Sequence, residues 1–360
     1  MWTIWIILFV IGFFLPDFQR GFGKSGKHWF GVQFSERQQS LELVQGILRK
    51  SLREFRLFYV IGFLLVPLAH FSLDAFNEGI GVAYWILLLW GLQFYFHRRL
   101  KQFKVGLPKD PDVQIVRTAD LSPRPSMPGK FHAGFILAIL IAATTWILLI
   151  LQYDKLPDPL PVHWDLFGQA NGFASKSLNT VHQSAGLIFI LTLVMYFFST
   201  RHYQAKRLID PARPKTALMR YQIARDRMSL YMMTLINVMT LHFAILHLGM
   251  LYALPSWIFI VSSAILFLVA FGGIGLYYAT TGDHGQRLRV KTDEVENDHL
   301  AAPDDDQYWK GGLFYYNPDD PTLWVPKRFS GGYTVNAGHP IGKLIYIGII
   351  LLLLTLILFR

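Results

Sequence analysis

The sequence predicts an all-α polytopic membrane protein with about eight transmembrane helices and a small β-rich cytoplasmic insert before the last one. Two observations predict it. Long apolar runs alternate with polar segments in a chain of 360 residues, 52% of them apolar and only 16% charged. Nearly all lysines and arginines also lie in alternate polar segments. A helix crosses a bilayer with about 20 apolar residues, and only helices or closed barrels satisfy the backbone in lipid. The runs are continuous and lack period-two alternation, which selects helices over barrel strands.

The predicted spans are 1–15, 57–73, 80–96, 131–152, 185–200, 229–252, 257–278 and 344–359. The first is short, and Trp2 or Trp5 would anchor it at an interface. It has neither a basic start nor a small-residue cleavage site, so an uncleaved anchor is expected rather than a signal peptide. Of the 34 lysines and arginines, all but Lys155, Lys176 and Arg360 fall in the segments 16–56, 97–130, 201–228 and 279–343. Basic loops remain in the cytoplasm, so these four segments are expected inside and both termini outside, in a bacterial cytoplasmic membrane. The net charge of +10 therefore follows topology. It points to the lipid bilayer as partner and not to nucleic acid.

Three modules are expected. Residues 1–130 form a three-helix membrane module, closed by the Pro- and Ser-rich linker around 105–130. Within it Ser35 and Gln38 have the spacing of a capping box. After them Leu41, Val44, Ile47, Leu48, Leu52 and Phe55 share one face of a basic helix, suited either to the inner membrane surface or to packing beneath the bundle. Residues 131–280 form a four-helix module with an outside loop at 153–184. Residues 281–360 add an internal element and the last span. In that element 312–316 and 322–325 flank Asn317-Pro-Asp-Asp-Pro321, which reads as a hairpin, with 332–336 as a third strand.

The outside loop carries most of the unusual chemistry. Pro159 and Pro161 preset an extended chain, Gly168 and Gly172 permit tight turns, and Trp164, Phe167 and Phe173 suit the headgroup level. His163 with Asp158 and Asp165 has the donor types of a metal site; a self-packed cap with internal hydrogen bonds is the favoured reading, and a recognition surface the next. The acidic groups Asp304, Asp305, Asp306, Asp319 and Asp320 lack EF-hand spacing and read as charged turns and caps. Trp309 and its aromatic neighbours read as a small core. Neither place is expected to hold a metal, and no cofactor is expected. His70, Asn237, His242 and His247 fall inside predicted spans, where ionisable and polar groups are functional candidates. His242 and His247 are five apart and so do not share a helix face.

The run P-x-P-x-H-W-D, then G, N-G-F and S-K, between two spans resembles the SdpI immunity protein family of bacterial membranes. Pro159, Pro161, His163, Trp164, Asp165, Gly168, Gly172, Phe173 and Lys176 match its pattern, and Asn171 stands where Asp is usual. Phe30-Gly-Val-Gln-Phe34, the stretch 304–321 and Lys327-Arg328-Phe329 resemble the longer members, although Phe34 and Ser35 replace the more usual Ile/Val-Pro. The resemblance implies immunity to a secreted membrane-active peptide, with a cytoplasmic repressor as a further partner. The alternative is a transporter or channel whose cavity Asn237, His242 and His247 line. Catalysis is not expected. Cysteine is absent, which removes thiolate chemistry and disulfides. Neither HExxH nor GxSxG occurs, and Gly21–Lys27 matches GxxxxGK but continues with His28 instead of Ser or Thr.

Overall fold

A computed structural model describes every residue except 1, 23–27, 73–77, 109–112, 117–124, 166–168, 206–208, 253, 283, 284, 296, 298, 329–332, 359 and 360. The chain is mostly helical. In order it forms α1 (Trp2–Phe22), β1 (His28–Trp29), β2 (Val32–Gln33), α2 (Glu36–Ser40), α3 (Glu42–Phe63), α4 (Leu65–Ser72), α5 (Glu78–Val105) and β3 (Gln114–Ile115). Then follow α6 (Gly129–Leu151), β4 (Leu160–Trp164), β5 (Ala170–Ala174), α7 (Leu178–Tyr203), α8 (Pro214–Gly249), α9 (Ser256–Phe267) and α10 (Gly273–Thr280). The C-terminal part holds β6 (Leu300–Ala301), β7 (Trp309–Lys310), β8 (Phe314–Tyr315), β9 (Trp324–Pro326), β10 (Tyr333–Val335) and α11 (Pro340–Leu358).

Among the described residues, 5 helices are long and apolar enough to cross a membrane. They are α5, α6, α7, α8 and the run from α9 to α10, which is continuous through a π-helical turn at Leu268–Gly272. Shorter apolar stretches lie at Trp5–Asp17 in α1 and Pro340–Leu351 in α11. The remaining predicted span, 57–73, starts inside α3 and continues through α4, and its last residue lies outside the described residues. The two helices separate at Leu64 because Pro67 has no N–H for the Phe63 carbonyl. The basic amphipathic stretch and the first part of the predicted span are thus one helix, α3. Its face of Val44, Leu48, Leu52, Phe55, Tyr59 and Phe63 is buried, at the three- and four-residue spacing of a helix stripe. The capping box is present: Gln38 N donates to Ser35 Oγ (3.1 Å) and Ser35 N to Gln38 Oε1 (3.0 Å). It starts only the one-turn α2, however, because Leu41 is extended.

The chain divides into two compact units. One comprises Met1–Asp120, Lys206–Met219 and Gly282–Arg360; the other Leu121–Ala205 and Arg220–Thr281. In the first, the buried stripe of α3 packs with Trp5 of α1, Phe96 and Leu100 of α5, and Phe30, Val32 and Phe34 of the β1–β2 segment. Phe30 stacks on Phe96 at 5.1 Å and tilts against Phe55 at 5.5 Å. Parallel pairing of β3 with β6 and a hydrogen bond from Asn297 N to Ala212 O join its three chain segments. In the second unit α6 packs along α7, with one cluster around Phe131, Phe135, Tyr203 and Ile236 and another around Leu149, Leu156, Leu160, Val181 and Ala185.

The β pairing in the C-terminal element corrects the sequence expectation. Strand β8 pairs with β7 rather than across 317–321, and β9 pairs with β10. The β7–β8 reversal uses Gly311 and Gly312 at φ +62 and +73, where glycine is favoured. The 317–322 stretch is a loop wrapped around a side chain. Fully buried Asn336 donates from Nδ2 to the carbonyls of Asn317 (2.8 Å), Asp320 (3.0 Å) and Thr322 (3.3 Å), and its Oδ1 accepts from Asn317 N (3.0 Å) and Gly338 N (2.9 Å).

Candidate functional site

The loop between α6 and α7 is an ordered antiparallel hairpin. Leu160 faces Ala174 and Pro161 faces Phe173, then His163 faces Gly172 and Trp164 faces Ala170. Each strand therefore carries one extra residue, Val162 on β4 and Asn171 on β5. Bulges of this kind re-aim side chains, and here they set His163 Nδ1 at 2.5 Å from Asn171 Oδ1. With the amide oxygen as acceptor, Nδ1 is the donor of this hydrogen bond. A Cβ on Gly172 would lie 2.8 Å from the His163 Cβ, so the crossing requires glycine there. Asp165 closes the far end: its Oδ1 accepts from Gln169 N (2.9 Å), and its own N–H donates to Gln169 O (2.9 Å).

Lys176 fixes the base of the hairpin. Its ammonium donates to the Leu156 carbonyl (2.7 Å) and the Asp154 carbonyl (3.2 Å) and lies 5.1 Å from the centre of the Tyr153 ring. Leu160 is buried among Leu149, Leu156, Val181 and Ala185. The hairpin thus has a rooted end, and a free face where Val162, His163 and Phe173 are exposed, Phe173 by 57%. Of the predicted loop residues, Pro159, Pro161, His163, Trp164, Asp165, Gly172, Phe173 and Lys176 all belong to this one structure. Gly168 and the side chain of His70 lie outside the described residues.

Trp164 links the hairpin to the helices. Its ring lies 6.5 Å from the His247 imidazole, edge-on, and His247 Nδ1 is 2.7 Å from the Phe243 carbonyl of its own helix. His242 Nδ1 lies 2.9 Å from Ser262 Oγ on α9, and Asn237 Nδ2 donates to the Gly134 carbonyl on α6 (3.0 Å). These three polar groups each engage a different element.

The acidic residues of the C-terminal element are joined by an ion-pair network. Asp306 is its centre. Arg328 donates to Asp306 and to Asp305 and also to the Gly31 carbonyl. Lys104 Nζ lies 2.6 Å from both Asp306 Oδ2 and Asp304 Oδ2, and Gln33 N donates to Asp306 Oδ1 (3.2 Å). Lys101 donates to the Asp306 carbonyl (3.1 Å). Trp309, buried as predicted for a core, donates from Nε1 to Asp305 (3.1 Å) and lies under the Arg328 guanidinium at 5.2 Å. Burial opposes ionisation of Asp306, but Arg328 and Lys104 outweigh it and hold its pKa below the ordinary aspartate value. The three adjacent carboxylates approach within 4.8 Å of one another, yet Asp306 already has cationic partners on both oxygens, so the arrangement is an ionic clasp and not a vacant ligand set. Asp320 accepts from Tyr315 Oη (3.1 Å) and Thr322 N (2.9 Å), whereas Asp319 and Lys327 are exposed.

Both regions overlap family matches. Residues 140–182 match a domain of unknown function, DUF1648, which is associated with membrane proteins. Residues 318–343 match a family of unknown function, DUF5808. No curated protein and no solved structure matches the chain. The first stretch runs from α6 through the whole hairpin, and the second contains Arg328 and Asn336. Sequence reasoning missed Asn336, Gly31, Lys104 and Asn171 as organising residues. An Asn two positions before Gly338, just after a strand, was the one local signal for Asn336.

Proposed function

We propose that the chain is a non-enzymatic bacterial membrane protein of the SdpI immunity and signalling type, with eight spans and both termini outside. Its hairpin recognises a hydrophobic peptide that arrives from outside. The observation that carries this reading is the ordered hairpin with a rooted base and an exposed face. Phe173 and Val162 offer apolar area there, His163 and Asn171 supply polar groups between them, and the two-stranded sheet leaves outer edges suited to adding a strand. Preorganisation of this kind lowers the ordering cost of binding. The Trp164–His247 contact gives a route from the hairpin into α8, and the clasped C-terminal element offers a surface for a cytoplasmic repressor. A peptide shifts the state of the protein only by binding two states unequally. The transporter alternative is supported less well, because Asn237, His242 and His247 each bind a different element instead of converging on one cavity.

The test is complementation of a deletion strain in the native host under challenge with secreted membrane-active peptides. Wild-type protein restores protection, and Phe173→Ser does not, with equal amounts in the membrane and unchanged solute flux. Full protection by Phe173→Ser removes the recognition role. Uptake into proteoliposomes that His242→Ala abolishes would instead make transport the primary activity. Orientation is tested at Ser175→Cys, which an impermeant thiol reagent labels from outside intact cells if the hairpin is external.

A further inference from the structure

Helices α3 and α5 pack together, and their exposed stripes change character at the same level. On α3 the exposed positions Lys50, Arg53, Leu57 and Ile61 recur at three- and four-residue spacing, basic first and apolar after. On α5, which runs the other way, Leu87, Trp90, Phe94 and Arg98 do the same in reverse. Two contacts fix the register. Phe58 meets Tyr95 at 6.4 Å, and one turn further Glu54 pairs with Arg99. The apolar side of both stripes therefore ends at the Phe58–Tyr95 pair, where 41% and 51% of those side chains are exposed, and the basic side begins there. Aromatic rings at such a boundary mark the headgroup level.

The cations at this boundary differ in how they are engaged. Arg99 is bound to Glu54, and Arg56 reaches Asp17 at 2.6 Å. Arg53 and Arg98 are exposed and have no partner among the described residues, and Lys50 reaches only the shared Glu54, at 3.9 Å. Two unpartnered arginines and the loosely paired Lys50 thus flank the Glu54–Arg99 pair beside an apolar shelf of Leu57, Phe58 and Tyr95.

We infer that this boundary binds an acidic phospholipid, with its phosphate held by Lys50, Arg53 and Arg98 and its acyl chains on the shelf. The inference is independent of the recognition role. Charge complementarity selects an anionic headgroup over a zwitterionic one, and the Arg99–Glu54 pair joins α3 to α5 at the level of these cations.

The test uses the full chain, delipidated in detergent and mixed with equal parts of phosphatidylglycerol and phosphatidylcholine, with retained lipid counted by native mass spectrometry. Wild-type protein retains phosphatidylglycerol preferentially, and K50Q/R53Q/R98Q lowers that retention by about a hundredfold. The variant K215Q/R289Q/K291Q removes the same charge at exposed positions outside α3 and α5 and leaves retention unchanged. Should the triple boundary variant fail to fold, R53Q and R98Q singly each lower retention by about fivefold. Equal retention of both lipids by wild type, unchanged retention in the boundary variants, or an equal loss in the distant variant overturns the inference. Displacement of the lipid by an equal concentration of glycerol 3-phosphate overturns it too, because the site would then take a soluble phosphate.

Discussion

Arg328→Leu should be the most destabilising single exchange in the C-terminal element. Arg328 is 3% exposed and donates to Asp306, Asp305 and the Gly31 carbonyl. Leucine fills much of the volume and removes all three donors. Asp305, 42% exposed, regains water, so its loss counts for little. Asp306, 6% exposed, keeps only Lys104 and Gln33 N and is left as an undercompensated buried charge. Removing one partner from such a pair costs about 3–5 kcal/mol, and at a few degrees per kcal/mol the midpoint falls by roughly 10 °C. The assay is thermal unfolding in detergent, joined to amide exchange over 28–34 and 305–328. Both stretches should lose protection together, since one guanidinium binds both. The double variant Arg328→Leu/Asp306→Leu should recover much of the loss, because no unpaired charge is then buried. A midpoint within about 2 °C of wild type, or lost protection in only one stretch, refutes the clasp as a stabilising device.

The same network predicts an acid limit. The Asp306 pKa is depressed in the folded protein, so its contribution is complete above the ordinary aspartate range near pH 4 and is lost as pH falls through the folded value. Unfolding midpoints measured against pH should drop there, and Asp306→Asn should flatten that limb while lowering stability at neutral pH. Gly31→Ala places a Cβ 2.3 Å from the Gly312 Cα at a φ of +75, so a loss of at least about 2 kcal/mol is expected from left-handed strain and backbone displacement; a wild-type melting curve would contradict the close approach. Asn336→Ala strands the buried N–H groups of Asn317 and Gly338, each worth about 1–3 kcal/mol, and amide exchange over 317–323 should rise by orders of magnitude. Lys176→Met should unfasten the hairpin base and raise proteolysis near 154–158 without altering helix content by circular dichroism.

Local information was legible in the sequence, and distant pairing was not. Helices α6 to α9 follow from uninterrupted apolar runs, and the Ser35–Gln38 box from a three-residue spacing. The hairpin residues stand within 18 positions of one another, so their prolines, glycines and lysine announced an ordered loop before the bulges were known. The clasp left no comparable trace: Gln33 and Asp306 are 273 residues apart, and Gly31 and Arg328 are 297 apart. Asp304–Asp306 read as charged turns because the cations that bind Asp306 stand 202 and 22 positions away, and in part they are turns, since Asp304 Oδ1 accepts from Asp306 N at 2.9 Å. The strand pairing was misread for a related reason. A Pro-Asp-Asp-Pro stretch signals a reversal but does not reveal that a later asparagine fills the loop.

The clasp also constrains biogenesis. Lys104 and the Gly31 carbonyl leave the ribosome roughly 200 to 300 residues ahead of the groups that bind them, as the separations of 202 and 297 positions require. At the chain's slow pace of synthesis, about 5–20 residues per second, the early segments wait tens of seconds with their carbonyl and ammonium groups solvated. The polar ends of the amino-terminal helices therefore stay solvated and unlocked until Arg328 emerges.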